Sequence, residues 1–372
     1  MAFFKERKIK TKYTDQLILM TAVLVTSALL KGTTALVPSA VCVAAAVIAD
    51  LICSKLRRQS FDKDDFSAVY AGLAFALVCP ITVPLHHAAF VIAFSVAIAK
   101  HAFGGSDNAI FSAPALGAGF LILTSPSSMI FYPKATELLP AFTSYSGEPL
   151  RGLENYLKLG NIPPFSISEL LTGSFPGPSG AVFILVILVS ALCLILRRSI
   201  SLSVFLSGTL TLAASAYFYP RAGTGFDSVI YELCSDFFMF GIVFLASDPA
   251  ILPQTLFGRV VFGTLTGVFT VFYRHFGKTE GSFFFALLFA CAATSGIDKI
   301  AQTLSDWLKN YLSSYERLKA QIQKGETPKL SDTQEITLPK KLKFNTPEID
   351  GDIKEIPLDD VKQDTEAGEN EN

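Results

Sequence analysis

Charge is scarce in this chain. Only 17% of its 372 residues are Asp, Glu, Lys or Arg, and they nearly cancel to a net −1. No basic stripe exists to bind nucleic acid, so that class of partner is excluded. Histidine is scarcer still, and four scattered residues are too few for a metal cluster. The cysteines Cys42, Cys53, Cys79, Cys193, Cys234 and Cys291 stand singly in or at the ends of apolar segments, with no Cys-x-x-Cys pair. They read as small hydrophobes in helices rather than as disulfides or iron–sulfur ligands.

Apolar residues are what the chain has in excess: 51% hydrophobic side chains and 32 phenylalanines. One soluble core cannot enclose that much apolar surface. The apolar residues also run in long uncharged blocks, which predicts an all-α polytopic membrane protein.

Residues 1–14 are basic and read as an uncleaved cytoplasmic start. The apolar runs predict about ten transmembrane helices, near 16–30, 35–53, 65–79, 88–99, 103–126, 181–196, a seventh reaching about 219, then 228–246, 260–273 and 282–297. A long outer loop at 133–179 separates the helices over 15–132 from those over 180–300. Basic clusters at the N-terminus, Lys55 to Lys63, Lys100, Arg197-Arg198, Arg259 and Lys299 then lie inside, with both termini cytoplasmic. After Ile300, the spacing Leu304, Trp307-Leu308, Tyr311-Leu312, Tyr315, Leu318, Ile322 describes an amphipathic helix over 301–324 along the membrane face. From Gly351 on, eight acidic residues against two lysines mark part of a disordered tail, 325–372.

Three places carry candidate chemistry. The stretch from Ser247 to Gly281 opens with Ser247-Asp248-Pro249, where proline stops the preceding helix, continues through Arg259 and ends at Glu280-Gly281. A carboxylate and a broken backbone at a membrane boundary line a protein-buried site by default; a helix cap followed by an interfacial arginine is the plainer alternative. The run from Phe103 to Pro126 enters through Gly104, Gly105, Asp107 and Asn108, passes Phe111, and is bent by a mid-run Pro114. Its small residues suit a phosphate or a closely packed neighbouring helix equally. Glu232 and Asp236 lie one turn apart on a continuous eighth helix, sharing a face. Such a pair hands a cation or proton inward, or sits at the headgroup level.

With these segments in place, the chain resembles the D component of the Rnf electron-transport complex, whose relative is the B component of the sodium-translocating NADH:quinone reductase. The similarity covers roughly Thr14 to Asp298. It rests on Asp65-Phe66-Ser67-Ala68-Val69-Tyr70-Ala71-Gly72-Leu73, on Lys100 to Leu116, and on the run Ser247-Asp248-Pro249, Gly258-Arg259, Gly263, Gly267, Arg274, Gly277, Glu280-Gly281. The resemblance implies two five-helix halves around a flavin-bearing core. It also implies a bacterial inner-membrane complex with other subunits, coupling electron flow to sodium or proton movement. Members carry FMN esterified to a threonine in a Ser-Gly-Ala-Thr-Pro-Leu loop. Here Ser146-Gly147-Glu148-Pro149-Leu150 stands in its place, and a carboxylate cannot form that phosphoester. A non-covalent flavin, FMN or riboflavin, is the expectation, held by Phe103 to Ala115 and Ser247 to Arg259. A flavin-free scaffold of the same complex is a second reading. A channel or carrier with the two-half architecture of urea and ammonium channels is a third, resting on analogy of fold.

Overall fold

The computed structural model describes residues 2–58, 65–103, 109–134, 150–277 and 280–323. The expected tail, Gly104, Gly105 and Asn108 in the glycine-rich entry, and Ser146, Gly147 and Glu148 in the outer loop lie outside the described residues. The chain divides into two units, Met1–Thr303 and Leu304–Asn372.

The described chain is mostly helical. In order the helices are α1 (Ala2–Lys31), α2 (Leu36–Leu56), α3 (Ser67–Val78), α4 (Leu85–Val96), α5 (Ala113–Thr124), α6 (Pro126–Ile130), α7 (Leu153–Lys158), α8 (Ile167–Thr172), α9 (Ile184–Leu196), α10 (Leu202–Phe218), α11 (Gly225–Cys234), α12 (Phe238–Phe240), α13 (Leu256–Phe272) and α14 (Ser282–Gln323). A single antiparallel pair among the described residues, β1 (Phe131–Tyr132) with β2 (Leu150–Arg151), sets Tyr132 opposite Leu150 and returns the chain to the helix ends.

Four stretches are long and apolar enough to cross a bilayer: Thr11–Lys31, Thr33–Leu56, Leu85–Ala102 and Leu256–Gly277. A fifth arises if α11 and the following Phe238–Leu245, bent by 64° at their junction, count as one span. Five further apolar helical stretches run 10–17 residues, the last of them, Ser282–Thr294, being the apolar start of the longer α14. A twelve-residue helix such as α5 rises about 18 Å, against a hydrocarbon thickness of about 30 Å. Leu29, Leu123, Leu196 and Phe218 are each about three-quarters exposed, an apolar surface that calls for lipid rather than water.

Phenylalanine fills the interior. Phe238, Phe240, Phe244, Phe262, Phe283 and Phe284 are fully buried, and Phe238 meets Phe283 edge to face with centroids 5.7 Å apart. Glycine sets how closely α10 and α13 approach. A Cβ on Gly263 of α13 would lie 2.6 Å from the Val204 carbonyl of α10, and one on Gly267 would lie 2.9 Å from the Gly208 carbonyl.

Three elements differ from the sequence reading. Pro114 does not bend a helix: it sits in the first turn of α5, behind the Ser112 cap, where its missing N–H is not needed. The eighth helix is broken between Cys234 and Phe238, so Glu232 and Asp236 do not share the face of one continuous helix. Asp236 (φ 54°) and Phe237 (φ 62°) both take left-handed backbone, which halts an α-helix. Finally, α14 is assigned from Ser282 to Gln323, past the expected end of the last apolar helix near residue 297. In its second-unit part, the Trp307 and Tyr311 rings stack with centroids 5.6 Å apart.

π-helical turns extend three helices: Ala97–Ala102 after α4, Gly241–Leu245 after α12, and Tyr273–Gly277 after α13. Such turns widen the helix and displace backbone carbonyls from regular pairing. Each of the three adjoins a buried polar site.

Candidate functional site

The first site forms where Ser247-Asp248-Pro249 ends the π-turn after α12. Tyr13 of α1 donates its hydroxyl hydrogen to Asp248 Oδ1 at 2.7 Å, and the Ala250 N–H donates to the same oxygen at 3.0 Å. Gln16, one turn further along α1, donates from Nε2 to the Ser247 carbonyl at 3.2 Å. Tyr70 of α3 donates to the Phe244 carbonyl at 2.7 Å. The Tyr13 and Tyr70 rings lie 5.2 Å apart, tilted by 58°.

Tyr13, Tyr70, Lys100, Phe111, Pro114 and Asp248 are among the residues lining a cleft of about 380 Å³, counted out to its open mouth. Its walls come from both stretches singled out in the sequence. Ser67 also lines it, with a buried Oγ that no described residue pairs with. Lys100 closes one side, held by Asp50 Oδ1 at 2.8 Å and Asp65 Oδ2 at 2.9 Å; His101 Nε2 lies 2.7 Å from Asp50 Oδ1. Asp248 lies in the link between two helices. Burial pushes its carboxyl up to about 6, opposed by the Ala250 N–H and the Tyr13 hydroxyl.

The second site gathers around the broken helix. Arg221 donates from Nη1 to Glu154 Oε1 at 2.5 Å and from Nη2 to Glu154 Oε2 at 3.0 Å. Its Nε and Nη2 also grip Glu232, the latter at 2.8 Å. Arg274, in the π-turn after α13, donates from Nη1 to Glu232 Oε2 at 2.6 Å and from Nη2 to the Ser235 carbonyl at 2.9 Å. Asp236 lies 3.4 Å from Arg274 Nε and accepts from the Gly281 N–H. A second cleft of about 370 Å³ runs alongside, with Tyr132, Glu154, Phe175, Asp236, Phe237 and Glu280 in its wall. Glu232 and Asp236 are buried at 3% and 8% exposure, so both side chains face protein.

Of the sequence candidates, the structure brings Phe111, Pro114 and Asp248 into one cleft. Pro249 lies between two lining residues without lining the cleft itself. Arg259 does not reach it: its Nε donates to the Pro253 carbonyl at 2.9 Å, tying down the link before α13. The sequence reading missed Tyr13, Tyr70, Glu154 and the Asp50–Lys100–Asp65 group. Asp50 carried a usable signal, a lone carboxylate inside an apolar helix that must find a buried partner. Arg274 stood in the run that carries the family resemblance, but neither it nor Arg221 was assigned to a site.

A helical membrane protein whose helix breaks enclose two ion-paired clefts is the class that fold and site define. The chain belongs to the NQR2, RnfD, RnfE family, whose model matches residues 3–305. It is 25% identical over 266 residues to the D component of the proton-translocating ferredoxin:NAD(+) oxidoreductase complex of Clostridium ljungdahlii, covering 69% of this chain and 80% of that one. To the D component of the Na(+)-translocating ferredoxin:NAD(+) oxidoreductase complex of Acetobacterium woodii it is 27% identical over 274 residues, 73% of this chain and 82% of that one. To the B component of the Na(+)-translocating NADH-quinone reductase of Pseudomonas aeruginosa it is 26% identical over 232 residues. That match spans 60% of this chain and only 56% of the longer relative.

Proposed function

We propose that this protein is a membrane subunit of an Rnf-type, ion-translocating electron-transport complex, and that it relays electrons through a flavin bound without a covalent link. The other subunits of such a complex are its partners, and sodium or protons the coupled ion. In this reading the long helices, the bent pair and the five short apolar helices make up the ten spans, in two halves, with both termini in the cytoplasm of a bacterium.

The observation that carries the reading is the tyrosine cleft. Its wall joins Phe111, Ala113 and Pro114 to Asp248 and Ala250, from the two stretches singled out in the sequence. The aromatic faces of Tyr13, Tyr70 and Phe111 suit a flat ring system. Asp248 and the orphaned Ser67 hydroxyl supply an acceptor and a donor for its polar edge. Lys100 is already matched by two carboxylates, so the cleft suits an isoalloxazine ring better than a phosphate. The flavin, when bound, supplies the redox chemistry. The chain's part is to hold the ring, fix its edge and keep water from it.

The purified protein is expected to show a flavin visible spectrum, and acid or detergent denaturation should release all of the yellow fluorescence from the polypeptide. Fluorescence that stays with the polypeptide on a denaturing gel would overturn the non-covalent assignment. Absence of flavin would overturn the relay and leave the scaffold or channel readings, which ion flux into liposomes separates.

A further inference from the structure

We propose that Glu280 is a proton-exchange site: a carboxyl that carries a hydrogen in the resting protein and trades it with water in the arginine cleft. Glu280 is 6% exposed and lines that cleft beside Asp236 and Glu154. Both nearby guanidiniums are committed elsewhere, Arg221 to Glu154 and Glu232, Arg274 to Glu232, the Ser235 carbonyl and Asp236. Neither forms an ion pair with Glu280.

Its one hydrogen-bond neighbour among the described residues is Tyr132. The Tyr132 Oη lies 3.4 Å from Glu280 Oε2 but 2.6 Å from the Met129 carbonyl. A phenol has a single hydrogen, and the short contact to Met129 takes it. What faces Glu280 is then an oxygen lone pair. The arrangement closes without a clash of acceptors only if Glu280 brings the hydrogen and points it at Tyr132. A buried carboxylate left with no donor costs far more than its neutral form.

The surrounding charges agree. Glu280 lies in the link before α14; burial first, then the Asp236 and Glu154 carboxylates, push it well above the usual carboxylate range, and Lys158 pulls the other way. A bound metal ion is the poorer alternative. Hard cations need several oxygen ligands, and no three His, Cys, Asp or Glu side chains among the described residues converge to hold one. The step is a proton transfer alone: the Glu280 O–H bond breaks, the proton leaves to water in the cleft, and the carboxylate remains.

This inference extends the ion-coupled reading above, but its test reads protonation in the full chain and needs neither flavin nor turnover. Infrared difference spectra of the purified protein in choline chloride should show a protonated-carboxyl C=O band at neutral pH that E280Q lacks. The band should persist when NaCl replaces choline chloride at fixed pH, and vanish only on alkaline titration. E280Q, isosteric with the neutral acid, should melt close to the wild type. An identical carboxyl band in wild type and E280Q would overturn the proposal, and so would loss of the wild-type band on adding sodium at neutral pH. If E280Q does not fold, Y132F decides: removing the acceptor should shift the band to higher frequency, and an unmoved band counts against the site.

Discussion

Nη1 of Arg274 holds Glu232 twice, by the carboxylate at 2.6 Å and by the backbone carbonyl at 2.8 Å. One side chain, 2% exposed, thereby fixes both the charge and the unpaired carbonyl at the end of α11. Nη2 does the same for Ser235 at the break itself. The guanidinium serves as the C-terminal cap of a helix that stops inside the protein, supplying donors to carbonyls left over by the break.

Replacing Arg274 with leucine should therefore destabilise the protein by about 3–5 kcal/mol, the usual cost of stranding a buried charge partner. Lysine should recover little of this, because three donors on one nitrogen cannot span the four acceptors that the planar guanidinium reaches. Thermal unfolding of the two variants in detergent checks both expectations. A lysine variant as stable as the wild type would show that charge alone matters.

Asp248 makes a pH prediction with a definite sign. Its folded value of about 6 stands above an unfolded value of about 4. A raised folded value means the contribution is complete below the unfolded pKa and is lost as pH rises through the folded one. Stability of the wild type relative to D248N should thus fall by roughly 2–3 kcal/mol between about pH 4 and about pH 7. Asparagine keeps an oxygen for Tyr13 and Ala250, so the difference isolates the titration. A difference that is flat or rises with pH would contradict the buried placement of Asp248.

Gly263 tests the close approach of α10 and α13. A methyl there would meet the Ser207 hydroxyl at 2.1 Å, which can rotate away, and the Val204 carbonyl at 2.6 Å, which cannot. Gly263→Ala should cost about 1–3 kcal/mol through overpacking, even though alanine is the better helix former. Thermal unfolding reads the sign, and a stabilised variant would show that the helices lie further apart than described.

Much of this architecture was legible in the sequence because apolar run length and proline position are local signals. The helix that stops at Cys79 before Pro80 and the break after Asp248 were both readable that way. The left-handed backbone at Asp236 and Phe237 was not, since neither residue type announces it. It is fixed by Arg274 and the Gly281 N–H, each far away in the sequence. The tyrosine cleft was half visible: glycine and proline marked Phe111, Pro114 and Asp248, while Tyr13 fell in the basic start and Tyr70 in an apolar helix with no sign of a site. Their hydroxyl partners lie 235 and 174 positions away, a relation no local pattern encodes. Arg259 shows the converse, a charged residue that a motif highlights and whose Nε ties down the link before α13 without lining the cleft.

The central claim, a flavin seated in the tyrosine cleft, is tested most directly by measuring flavin per chain in the wild type and in Ala109→Trp. Ala109 lines the cleft and is half-buried, so an indole there fills the mouth without entering the helix core. The account predicts stoichiometric flavin in the denatured wild-type supernatant and almost none from a folded Ala109→Trp. Equal flavin in the two proteins, or none in the wild type, would contradict it.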